Sequence, residues 1–135
     1  MHKQIFISLP VEDLEKSKKY FTSLGYTFNP QFTDEKAGCL VITEDRIYAM
    51  LLTKEYYKTF TAKELADTSK YVESIIALSC ESKEQVDFYI EKALKAGAKE
   101  PSKAEDYGFM YARNVEDLDG HTWRYIWMDV TKLKN

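Results

Sequence analysis

Histidine and cysteine are scarce in this chain of 135 residues, with two of each. His2 stands at the N-terminal edge, where fraying is expected, and Cys39 and Cys80 are isolated from one another. No zinc finger, C-x-x-C redox pair or three-histidine catalytic centre can be assembled locally from such residues, so a metal would have to be held mainly by carboxylates. A basic excess is also missing: 19 Lys and Arg stand against 22 Asp and Glu, a formal charge of -3. Nucleic-acid binders usually gather positive charge on one face, so no nucleic-acid partner is expected. Long apolar runs are absent as well. Charged side chains from Lys3 to Lys19 interrupt the opening segment, so neither a signal peptide nor a membrane span is expected and the chain reads as cytoplasmic. Two cysteines without framework spacing suit a reducing compartment, each as a small buried apolar residue.

What the chain does have is material for a core. Hydrophobic residues make up 44% of it and aromatic residues 14%. A domain of this length buries about two thirds of its unfolded surface, enough to stand without disulfide or metal staples.

Ile5, Ile7 and Leu9 alternate with Phe6 and Ser8, a period of two that predicts a strand ended by Pro10. A helix follows with Leu14, Ser17, Phe21 and Leu24 as its stripe and Gly25 at its C-terminal cap. Strands are predicted over 26–32, 38–43 and 47–53, separated by polar turns at 33–36 and 44–46. Thr61-Ala62-Lys63-Glu64 has the spacing of a capping box and predicts about two turns of helix in a bridge over 54–70. The first pattern then returns. A strand over 72–80 leads to a second capping box, Ser82-Lys83-Glu84-Gln85, and to a helix with Val86, Ile90, Ala93 and Leu94 as its stripe and Gly97 at its end. Strands are predicted at 99–101, 109–115 and 122–128. Both halves read βαβββ, the first over about 4–53 and the second over about 71–129, within a single α+β domain spanning 1–135. Neither unit is large enough to bury its own sheet face, so the expectation is one curved mixed sheet, a cup with helices behind it.

Three sequence markers carry a resemblance: Val11-Glu12-Asp13-Leu14-Glu15-Lys16-Ser17 after the first strand, Tyr20-Phe21-x-x-Leu24-Gly25 at the helix end, and Asp117-Leu118-Asp119-Gly120-His121-x-Trp123 before the last strand. Together with the repeat, over about 4–129, they resemble the vicinal oxygen chelate superfamily, which includes glyoxalase I, bleomycin and fosfomycin resistance proteins and extradiol dioxygenases. The resemblance implies a cup of paired βαβββ units, often formed across a homodimer. It also implies a divalent metal held by a His or Gln on the first strand, a Glu on the fourth, a His or Gln on the fifth and a Glu on the eighth. The matching positions here are Phe6, Leu51, Ile75 and Arg124. Phe, Leu and Ile offer no lone pair, and a guanidinium repels a cation. A slip of one residue would turn each strand to its other face, and slips of two reach Gln4, Ser8 and Ala49, none a carboxylate. No metal and no cofactor are therefore expected. The Asp-x-Asp-Gly segment is not a calcium loop, because His121 breaks that pattern and no Glu closes it. It reads as a tight turn in which Asp side chains cap backbone donors and Gly120 takes a positive φ.

By alternation, Phe6, Ser8, Leu51, Ile75 and Ala77 face into the cup with Thr122, Arg124, Ile126 and Met128, while Trp123, Tyr125 and Trp127 face the helices. An apolar cleft with one guanidinium suits an amphipathic organic anion. Alternatively, Arg124 pairs with an acidic side chain of its own or a partner chain, since a buried guanidinium must be answered by something. Among ten tyrosines, Tyr56 and Tyr57 are placed to close over a ligand and Tyr111 is a further candidate contact, with strand packing or a dimer interface as the alternative. His121 is a general base by residue type but sits directly after a turn glycine, and no histidine has a local nucleophile partner, so catalytic residues are unassigned. The leading expectation is a metal-independent small-molecule-binding protein similar to the bleomycin resistance members. The alternatives are a glyoxalase-like lyase or extradiol dioxygenase-like enzyme with an atypical site, or a dimeric interaction module whose cup has filled.

Overall fold

Strand β1 (Ile5–Val11) pairs in parallel with β4 (Ile47–Thr53), which in turn pairs antiparallel with β3 (Ala37–Thr43); the two-residue β2 (Thr27–Phe28) closes a sheet of order β1-β4-β3-β2. The computed structural model describes residues 1–133, and this sheet belongs to the first of two compact units, which divide between Ala66 and Asp67. Between β1 and β2 runs α1 (Leu14–Ser23), started by Asp13, whose carboxylate accepts the Lys16 N–H at 3.1 Å. Its buried stripe is Leu14, Ser17, Tyr20 and Phe21, and it ends at Leu24 and Gly25, whose φ is +101°. After β4 the chain makes one short helix, α2 (Lys54–Tyr57), capped by the Thr53 hydroxyl accepting the Tyr56 N–H at 3.3 Å.

The second unit repeats the plan. Strand β5 (Ile75–Cys80) pairs in parallel with β8 (Thr122–Met128), and β7 (Met110–Glu116) and β6 (Glu105–Asp106) complete the order β5-β8-β7-β6. Its helix, α3 (Lys83–Lys95), starts at Ser82, whose hydroxyl accepts the Gln85 N–H at 3.0 Å; the Gln85 side chain returns to the Glu81 N–H at 2.8 Å. Val86, Ile90 and Ala93 on α3 are completely buried, as are Trp123 and Tyr125 on β8 to within 1%, and the Tyr89 ring stacks on Tyr125 at 5.0 Å. Both units are therefore βαβββ modules, as the internal repeat predicts. Cys39 and Cys80 are free and buried, and burial pushes the Cys80 thiol up to about 11, so it packs as a small core residue and not as a nucleophile.

Several elements differ from the sequence reading. No helix follows Thr61: its hydroxyl accepts the N–H of Lys63 only two residues on, a local turn, and the helical segment arises earlier, behind Thr53. The strand predicted over 26–32 is cut to Thr27–Phe28, because Pro30 opens a 3-10 turn at Pro30–Phe32. Lys99 makes a single bridge to Glu116, and the short strand falls later, at Glu105–Asp106. Among the described residues no helix is long and apolar enough to cross a membrane.

The Asp117–Trp123 turn holds the start of β8. One Asp117 oxygen accepts the N–H groups of Asp119 and His121 at 2.9 and 3.0 Å, and the other accepts the indole N–H of Trp123 at 2.9 Å. Burial raises the Asp117 carboxyl above its ordinary range, and His121 is buried beside it. The Thr68 hydroxyl donates to the Asp119 carbonyl, drawing the 67–70 turn onto Gly120. Gly120 has φ +84°, and a Cβ there would lie 2.5 Å from the Thr68 carbonyl oxygen, whereas a Cβ on Gly25 would meet nothing. Gly25→Ala should therefore lose only the left-handed backbone cost of about 1–2 kcal/mol, and Gly120→Ala clearly more, by denaturant unfolding. Equal losses would mean that the Thr68 segment moves aside freely.

Candidate functional site

Register decides which side chains of the first sheet face away from α1. The Gly38–Leu51 pair lies under α1, since a Cβ on Gly38 would meet the Leu14 side chain at 3.2 Å, and Leu9 pairs with Leu51 in the same row. The opposite face therefore carries Phe6, Ser8 and Pro10 of β1 with Tyr48, Met50 and Leu52 of β4 and Ala37 and Cys39 of β3. On that face lies a cavity of about 580 Å³, floored by Ser8, Ala37, Met50 and Leu52. That volume falls within the usual span for small-molecule sites, roughly 300–1,000 Å³.

Two short segments wall it. The first runs from Gln31 to Asp34 and is fixed from within. Asn29 accepts the Gln31 N–H at 2.9 Å, the Thr33 hydroxyl donates to the Asn29 carbonyl at 2.7 Å and accepts the Cys39 N–H at 3.0 Å, and Asp34 Oδ1 accepts the N–H groups of Lys36 and Ala37 at 2.8 and 3.0 Å. The second wall is Tyr56, Tyr57, Phe60 and Thr61, in and after α2. Its rings meet edge to face, Tyr56 against Phe60 at 5.1 Å, and the Thr59 hydroxyl donates to the Tyr56 carbonyl at 2.7 Å. Lys54 anchors this wall to the end of β1 through Glu12 at 2.8 Å, a contact that lowers the Glu12 carboxyl below its ordinary value. Phe32 completes the aromatic lining from the first wall and is 59% exposed, as Phe60 is 66% exposed.

Of the residues expected to contact a ligand, Ser8, Tyr56 and Tyr57 line this cavity together. Phe6 shares the open face but stacks on Tyr48 at 4.9 Å, beside the cavity and not in it. Leu51 does not face it: the side chain is completely buried on the α1 side, and its neighbours Met50 and Leu52 take the open positions, a correction of one residue in parity. Tyr111 is also corrected. Its hydroxyl donates to Asp87 of α3 at 2.6 Å, on the helix-covered face of the second sheet, where Arg113 joins Asp87 and Glu100 at 2.8 Å. Sequence reasoning missed Phe32, Asp34, Met50, Leu52 and Phe60; the two exposed phenylalanines beside polar turns were the available signal.

Ile75 and Arg124 lie on the open face of the second sheet, in the rows Ile75–Thr122 and Ala77–Arg124. The guanidinium is engaged there. Arg124 donates to both oxygens of Glu105, at 2.6 and 3.2 Å, and to the Asn114 side chain at 3.2 Å. This is the pairing with an acidic side chain that the sequence left open beside the anion site, and the hydrogen bond from Arg124 lowers the Glu105 carboxyl.

The divalent metal implied by the resemblance does not fit these positions. Phe6, Ile75 and Arg124, with Met50 and Leu52 in place of Leu51, present no carboxylate or imidazole. Among the described residues no three His, Cys, Asp or Glu side chains come together as a metal site.

The comparisons agree with the architecture. Residues 3–43 match the family model of the bleomycin resistance protein-like N-terminal region. The chain is similar to the hypothetical protein SA1046 from S. aureus, with TM-score 0.78 and 25% identity over 94% of this chain and 95% of that one. It is similar also to a glyoxalase/bleomycin resistance protein/dioxygenase family enzyme from Burkholderia phytofirmans PsJN, with TM-score 0.77 and 13% identity over 94% and 99% of the two chains. Fosfomycin resistance protein FosX from Mesorhizobium loti shares the fold with TM-score 0.71 and 14% identity over 98% of each chain. No curated protein sequence matches. The fold is that of the glyoxalase/bleomycin resistance/dioxygenase proteins, and the resemblance to the vicinal oxygen chelate superfamily holds.

A double-mutant cycle between Arg124→Met and Glu105→Gln is expected to show favourable coupling at neutral pH. Because the native Glu105 value is lowered from 4.5, that coupling is fully present above 4.5 and is lost as pH falls through the lower native value. Coupling that persisted unchanged in strong acid would refute the pairing.

Proposed function

We propose that this chain is a metal-independent small-molecule-binding protein of the glyoxalase/bleomycin resistance type, working as one domain of 135 residues that associates as a homodimer in the cytoplasm. The cavity on the open face of the first sheet carries the proposal. It combines an apolar floor, Met50, Leu52 and Ala37, with a wall of four aromatic rings and a few polar atoms from Ser8, Thr33 and Thr61. Burying flat apolar surface against such a lining yields about 25 cal/mol per Å², enough to hold an amphipathic molecule without covalent chemistry. Sequestration needs only such a site, and no nucleophile-base pair is needed for it. Arg124, which would have drawn an anion, is neutralised by Glu105 on the other sheet, so the ligand is proposed to be amphipathic with its apolar part in this cavity.

Two measurements test this. The neutral dye Nile red should bind the native protein saturably with enhanced emission, and Met50→Trp, which fills the floor, should weaken that binding at least about tenfold while the melting temperature shifts little. Undiminished binding to the variant would place the site elsewhere. Addition of Ni, Zn, Mn or ferrous iron should leave the melting temperature unchanged. A stoichiometric metal with a clear thermal shift would overturn the metal-independent reading.

A further inference from the structure

The cavity carries a preference for charge as well as for shape, and we infer that its ligands are organic cations: flat or compact molecules bearing an ammonium group, held by aromatic faces with Asp34 as the counter-ion. This rests on the binding role proposed above and names the ligand class of that same site. Three observations support it.

The first is the charge of the lining. Of the residues that bound the cavity, Asp34 alone carries a formal charge, and it is negative. Its Oδ1 is occupied by the N–H groups of Lys36 and Ala37, which fixes the carboxylate in place and leaves Oδ2 outside those two bonds. The second is the aromatic wall. Phe32, Tyr56, Tyr57 and Phe60 line the cavity, and the π-faces of such rings are electron-rich and attract cations, most strongly where water is partly excluded. An anion placed beside Asp34 would be repelled by its carboxylate.

The third is that a cation already rests against this wall. The ammonium of Lys36 lies 5.9 Å from the centroid of the Tyr56 ring, at the outer limit of a cation–π contact. Lys36 is exposed and sits between the Asp34 turn and β3, so its long side chain can leave the ring without disturbing the wall. It acts as a tethered competitor, a charge of the chain's own that a ligand cation must displace. Of the lysines in the segment Lys54–Phe60 that carries Tyr56, Lys54 is held by Glu12.

The test uses three probes with one ring system and different charge: naphthylmethyl-trimethylammonium, naphthylmethanol and naphthoate, titrated into the full chain by amide NMR. The ammonium is expected to bind about tenfold more tightly than naphthoate, with the alcohol between them, and to shift the amides of Met50, Tyr56 and Tyr57. Asp34→Asn keeps an oxygen for the two backbone N–H groups, so the wall stays folded; it should weaken the ammonium severalfold and leave the alcohol unchanged. Lys36→Gln should tighten the ammonium, and added salt should shrink the difference between ammonium and alcohol. Naphthoate binding most tightly, or an ammonium affinity indifferent to both variants, would overturn the cation preference while the alcohol's binding kept the small-molecule role intact. If none of the three probes perturbs the cavity amides, both readings fall together.

Discussion

One helix lies against one face of each four-stranded sheet, and which side chains that helix covers settles what the opposite face is free to do. In the second unit α3 seals Trp123, Tyr125 and Val115 with Val86, Ile90 and Ala93. In the first, α1 covers Leu9, Leu40, Ala49 and Leu51. Each large apolar side chain buried in this way stabilises the fold by about 1.5–3 kcal/mol, so a strand cannot change register without forfeiting several of them at once. The uncovered rows, Phe6, Ser8, Met50 and Leu52 in one sheet and Ile75, Ala77, Arg124 and Ile126 in the other, are fixed as a by-product of that packing.

The two units then use the same uncovered face differently. After β4 the chain turns into α2 and the 3-10 segment Lys58–Phe60, which with Gln31–Asp34 raises walls around a cavity. In the second unit the corresponding face is crossed by a charged pair, with Arg124 of β8 reaching Glu105 of β6 past Asn114 of β7. Their charges satisfy each other, and the guanidinium is not offered to solvent anions. The two modules thus differ on this face, with an apolar cavity in one and a polar crosslink in the other.

Much of the fold is legible in the sequence because its signals are physical. Alternation over 5–9, the helix stripes, Gly25 and Gly97 at positive φ, and Ser82 with Gln85 each correspond to a requirement that the structure meets. The errors have physical reasons too. Strand β4 reads Ile-Tyr-Ala-Met-Leu-Leu-Thr, apolar on both faces, so nothing in its own residues says that Leu51 belongs to the covered row. Tyr111 alternates with Met110 and Ala112, and only its bond to Asp87, a residue 24 positions away, shows that it serves the helix side. Thr61 has the right partner spacing for a helix start but no sustained apolar stripe behind it, so its hydroxyl settles for a turn. The cavity walls were the least legible part, because they are made by short segments whose shape comes from side chain to backbone bonds at Asn29, Thr33, Asp34 and Thr53.

The Trp123 indole, anchored by its N–H to the buried Asp117, belongs with Trp127 to the second unit, and the chain has two tryptophans in all. The protein is therefore optically lopsided. Emission excited at the red edge of the absorption band reads the packing of the second module, while the first, which holds the cavity, is visible only through its tyrosines and its backbone. A tryptophan spectrum is thus a gauge of the second module's own packing, and the chromophores that line the cavity are tyrosines.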